Sequence, residues 1–62
     1  MNAIVKVLMG RDGMNEESAK EYLEDAREEF YIESEYDSFD LDDFMADWFG
    51  LEPDYIFDLI RW

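Results

Sequence analysis

The run NEESAKEYLEDAREEFYI, Asn15 to Ile32, decides the fold. Ala19, Tyr22, Leu23, Ala26 and Phe30 recur at helical spacing and form one apolar stripe. Glu17, Glu21, Glu24 and Glu28 recur at the same spacing on another face, a stripe of carboxylates. Such a helix builds a core on one side and shows acid to solvent on the other. Its start is well marked. Asn15 is a good N-cap, Glu16 and Glu17 suit the positive first turn, and Met14 and Ala19 are spaced for a hydrophobic staple.

Working outward, AIVKVLM (residues 3–9) suits a short helix through Ile4, Val7 and Leu8. Its β-branched residues would also suit a strand, but no later segment reads as a partner strand. Gly10-Arg11-Asp12-Gly13 reads as a turn. The spacing and Gly-Lys-Ser/Thr ending of a phosphate-binding loop are absent there. After Ile32 the periodicity stops, and ESEYDS (residues 33–38) reads as a loop.

Asp40 can cap a third helix, with Asp42 and Asp43 at its positive end. Leu41, Phe44, Met45, Trp48 and Phe49 keep the apolar spacing, and Gly50 suits the left-handed closing position. Pro53 opens a last helix, in which Tyr55, Ile56, Phe57, Leu59, Ile60 and Trp62 occupy most sides. A helix apolar nearly all round needs burial on several sides, so a second subunit is expected there, most simply in a homodimer. The reading is thus a single all-α domain, residues 1–62, a small bundle of three or four short helices. They lie near residues 3–9, 15–32, 40–49 and 53–61. Its core is Leu8, Ala19, Leu23, Ala26, Phe30, Phe44, Trp48, Ile56 and Leu59.

Composition narrows the function. Sixty-two residues with no Cys and no His exclude disulfides, thiolate metal sites and the usual neutral-pH acid/base. No catalytic constellation is present, so no enzyme and no cofactor are expected. The acids at 37, 40, 42 and 43 do not fit the alternation, central Gly and terminal Glu of a calcium loop. Acids are so frequent that any pair spaced for glycoside chemistry arises by chance. No apolar run approaches a membrane span. No cationic region precedes a long apolar run, as a secretory signal requires, so a cytoplasmic location is expected.

The net charge is −13, with nine acids and no base between Glu28 and Asp47. Self-repulsion at that density opposes compaction, which argues for a use beyond solubility. The candidate surface is a row of Glu17, Glu21, Glu24 and Glu28, continued by Glu33, Glu35, Asp37, Asp40, Asp42, Asp43 and Asp47. Carboxylates one helical turn apart, about 5–6 Å, can occupy cationic sites that otherwise hold phosphates. The expected partner is therefore a basic protein surface of a nucleic-acid-binding protein. Nucleic acid itself would be repelled. Asp12 and Asp58 fall outside the row. The alternative is a homo-oligomeric structural or regulatory protein that uses an aromatic surface around Trp48, Phe49, Tyr55, Phe57 and Trp62.

LMGRDGMNEESAKEYLEDAREE (Leu8 to Glu29) and MADWFGLEPDYIFDLI (Met45 to Ile60) together resemble small acidic helical proteins of phages and prophages of Gram-positive bacteria. The resemblance rests on general layout and on the Gly50–Tyr55 junction, and it brings no catalytic residues. It implies a phage setting and inhibition of a host enzyme, as by an anti-CRISPR or anti-restriction protein acting in the host cytoplasm.

Overall fold

Four helices and one 3-10 turn follow in order in the computed structural model, which describes residues 2–60. They are α1 (Ala3–Arg11), α2 (Glu16–Glu33), α3 (Leu41–Phe49), a 3-10 turn (Pro53–Tyr55) and α4 (Ile56–Ile60). The fold is a small all-α bundle. At 1.5 Å per residue α2 is about 27 Å long, and it runs most of the 35 Å length of a body 18 and 16 Å across.

The local signals explain where the helices begin. The Asn15 side-chain oxygen accepts the Ser18 N–H at 2.7 Å, and the Asp40 carboxylate accepts those of Asp42 and Asp43 at 2.9 and 3.3 Å. These bonds satisfy donors that no earlier turn can reach. Gly50 closes α3 at φ 64°, where its N–H reaches the Ala46 carbonyl at 2.9 Å. Residues 3–9 are helical, and the helix continues through Gly10 and Arg11, two residues into the expected turn. Gly13 alone in that turn takes a positive φ. The expected last helix divides into a 3-10 turn and the five residues of α4, while its end at Arg61 lies outside the described residues.

Ten buried apolar side chains make the core: Ile4, Val5, Leu8, Ala19, Leu23, Ala26, Phe44, Met45, Phe49 and Leu59. Phe30, Trp48 and Ile56, expected inside, are half-buried at its edge. Ile4, Val5, Met45 and Phe49 take the interior instead. The two small residues of α2, Ala19 and Ala26, let α1 lie close against it. The contact between α2 and α3 is made of rings. Tyr22 meets Trp48 and Phe49 edge-on at 5.4 and 5.7 Å, and Phe30 meets Phe44 at 5.7 Å. Phe39 joins Phe30 and Phe44 at 5.6 and 5.8 Å.

The last helix is not buried all round. Leu59 is inside, Tyr55 and Ile56 are half-buried, and Phe57 and Ile60 face solvent.

Distant polar contacts lock the bundle. Asn2 caps α1 through its oxygen, which accepts the Ile4 and Val5 N–H groups at 2.8 and 3.3 Å. Its amide donates to the Asp58 carbonyl, while the Asp58 carboxylate accepts the Ala3 N–H at 3.1 Å. α1 carries no acid in its own first turn, so α4 supplies the anion its positive end favours. The Arg11 guanidinium donates to the Phe49 carbonyl, and the Tyr22 hydroxyl donates to the Trp48 carbonyl. Both groups satisfy orphan acceptors at the end of α3. Arg27 Nε donates to the Leu59 carbonyl at 2.9 Å and ties α4 to α2.

Candidate acidic interface

Of the eleven acids singled out above, ten are exposed, and Glu33 is half-buried. The structure divides them. At 100° per residue Glu17, Glu21, Glu24 and Glu28 stay within about 60° of one another around α2, whereas Glu33 lies about 150° away from that row. Glu33 therefore does not continue the stripe. It turns toward α3 and, with Asp40, Asp43 and Asp47, lines a cleft of about 240 Å³. Tyr36, Ser38, Phe39, Phe44 and Trp48 complete the lining. Glu35, Asp37 and Asp42 are exposed outside the cleft.

The cleft exists because rings hold α2 and α3 apart. Phe39 and Phe44 line it with their rings, both packed against Phe30 at the end of α2, and the segment after Glu33 closes one side. Asp40, Asp43 and Asp47 are spaced 0, 3 and 7 along α3, which sets them on one face. The Asp40 carboxylate already holds two backbone N–H groups, so Glu33, Asp43 and Asp47 are the acids turned outward.

The neighbours of Glu33 shift its protonation. A hydrogen bond shared with Glu29 raises the Glu33 carboxyl above its ordinary range, and desolvation and the charges of Glu29 and Asp47 push the same way. At the end of α1 the sign reverses. Arg11 grips Asp12 at 3.0 and 3.1 Å and holds that carboxyl below its ordinary range. Lys20 approaches Glu16 at 3.9 Å on the exposed first turn of α2. Among the described residues no three carboxylates are placed to hold one metal ion.

Sequence reasoning missed two things. Asp12 and Asp58, set aside as scattered acids, have structural partners in Arg11 and in the α1 N-terminus. The cleft was also missed, although Asp40, Asp43 and Asp47 beside Phe44 and Trp48 carry its signature. Of the aromatic surface expected around Trp48, Phe49, Tyr55, Phe57 and Trp62, Phe49 is buried, Trp48 and Tyr55 are half-buried and Phe57 is exposed. Trp62 lies outside the described residues. No helix among them is long and apolar enough to cross a membrane. Comparison of the chain with protein-family models, curated proteins and solved structures gives no match.

Proposed function

We propose that this chain is a phage-type acidic inhibitor. It occupies the basic nucleic-acid-binding surface of a host defence protein as a nucleic-acid mimic, in the manner of an anti-CRISPR or anti-restriction protein. The observation that carries this reading is the placement of charge. Glu17, Glu21, Glu24 and Glu28 of α2 and the acids of the following loop and α3 stand exposed, while Arg11 and Arg27 are turned to helix ends through backbone carbonyls. These two cations thus strengthen the fold, and Lys20 stands beside the start of the row, against Glu16. Glu17, Glu21, Glu24 and Glu28 form a row about 16 Å long on one helix, so the backbone that carries them is already ordered before binding.

The test is competition. A pull-down from host lysate identifies the partner, and DNA or RNA is then titrated against the complex. Mutual exclusion is expected. Charge reversal at Glu21, Glu24 and Glu28 weakens the complex and leaves the fold intact. Simultaneous binding of nucleic acid and this protein, indifferent to those reversals, would return the row to a solvated face.

A second reading is homo-oligomerisation, and exposed apolar side chains favour it. Tyr31, Tyr36 and Phe57 are 54%, 64% and 61% exposed, and Ile32 and Ile60 stand open beside them in sequence. Sedimentation at micromolar concentration checks it, and a clean monomer mass excludes it.

A further inference from the structure

We infer that the cleft between the end of α2 and α3 receives one arginine side chain of the partner protein. This rests on the reading that the partner presents a basic surface. It adds a discrete anchor to what would otherwise be a diffuse attraction.

Size comes first. Small-molecule and cofactor sites run to roughly 300–1,000 Å³, and this cleft, at about 240 Å³, falls below them. It suits a single side chain. Its chemistry selects the kind. Glu33, Asp43 and Asp47 supply carboxylates, and Phe39, Phe44 and Trp48 supply aromatic surface, with no base among the described lining residues. A neutral or anionic side chain would leave those carboxylates crowded and uncompensated. A cation relieves the crowding that Glu29 and Asp47 impose on Glu33.

Arginine fits better than lysine. Its planar guanidinium can lie on a ring while its edge donates to two carboxylates at once, whereas an ammonium is a compact point charge that holds its water. The site is also preorganised. Phe44 is fixed by its contacts with Phe30, Phe39 and Trp48, and Trp48 by Tyr22. Binding therefore orders little on this side of the interface.

The experiment uses the full chain, isotopically labelled, with three probes: N-acetyl-arginine amide, its citrulline counterpart and its lysine counterpart. Citrulline keeps the shape of arginine and removes its charge. The expected result is saturable shifts of the Phe39, Phe44 and Trp48 ring resonances and of the Asp43 and Asp47 carboxylates with the arginine probe. Citrulline should bind about tenfold more weakly or not at all, and lysine should fall between. Asp43→Asn with Asp47→Asn should weaken the arginine probe about tenfold. Equal responses to arginine and citrulline overturn the inference without any variant. So do arginine shifts that are as large at Glu17, Glu21 and Glu24 as in the cleft. The competition assay above fails separately. Arginine in the cleft with no displacement of nucleic acid rejects the mimic and keeps the anchor, and displacement with a silent cleft does the reverse.

Discussion

Truncating Phe49 and Phe57 to alanine applies one chemical change to two environments. Phe49 is 2% exposed and meets Tyr22 edge-on, whereas Phe57 is 61% exposed. Removing a fully buried phenyl ring typically costs about 3–5 kcal/mol, the lost transfer energy plus a cavity. Whole-domain stability at about 0.05–0.15 kcal/mol per residue comes to roughly 3–9 kcal/mol for a chain of this length. Phe49→Ala therefore removes a third or more of what holds the fold. Phe57→Ala should stay within about 0.5 kcal/mol of wild type.

Urea unfolding followed by far-ultraviolet circular dichroism reads the difference. With a slope near 1 kcal/mol/M, at the low end for small domains, the Phe49 change moves the midpoint by about 3 M or abolishes the folded baseline. Phe57→Ala should keep both midpoint and slope. A Phe49→Ala midpoint within 1 M of wild type would show that α3 turns a different face inward. A Phe57→Ala loss as large as that of Phe49 would refute the placement of α4, or show that its outer face is covered by another copy.

Four further outcomes follow from particular contacts. Gly10 lies within α1 with open space where a Cβ would stand, so Gly10→Ala should stabilise by about 0.5–1 kcal/mol. Gly50→Ala meets only an ordinary 3.5 Å contact with Arg11 but must hold φ 64°, so it should cost about 1–2 kcal/mol in thermal or urea unfolding. Asp58→Ala removes the carboxylate at the start of α1 and should cost about 1 kcal/mol, with amide exchange rising first at Ala3 to Val5. Glu33→Gln should stabilise the protein at neutral pH. Because the folded Glu33 holds its proton to higher pH than the ordinary value of 4.5, wild-type stability falls as pH rises from there through the folded value. The variant should match wild type below that window and exceed it above. A difference that is the same at every pH would assign the effect to something other than the Glu29 and Asp47 charges.

The helices were largely legible in the sequence because their signals are short-ranged. Asn15 and Asp40 cap donors two or three positions ahead, Gly50 closes α3 on a carbonyl four positions back, and Pro53 needs no donor at its place. The C-terminus of α1 was misjudged by two residues for a matching reason. Gly10 is permissive rather than compulsory, and the two extra residues carry Arg11 to the end of α3, a contact 38 positions away.

The interior was legible only at the centre of each stripe. Ala19, Leu23 and Ala26 sit along the middle of the α2 stripe, whereas Trp48 and Phe49 are adjacent in sequence and about 100° apart around α3, both on its apolar arc. Which of them is covered depends on where α2 places Tyr22. The acids obey the same division. Their number, their exposure and the stripe from Glu17 to Glu28 follow from composition and a 3.6-residue period. The cleft of Glu33, Asp43 and Asp47, and the fastening of α1 by Asp58 from 55 positions away, exist only once the helices are docked. Sequence thus determined the elements, whose energies are local. Tertiary structure decided which charges meet, since that depends on the distances the aromatic layer keeps between helices.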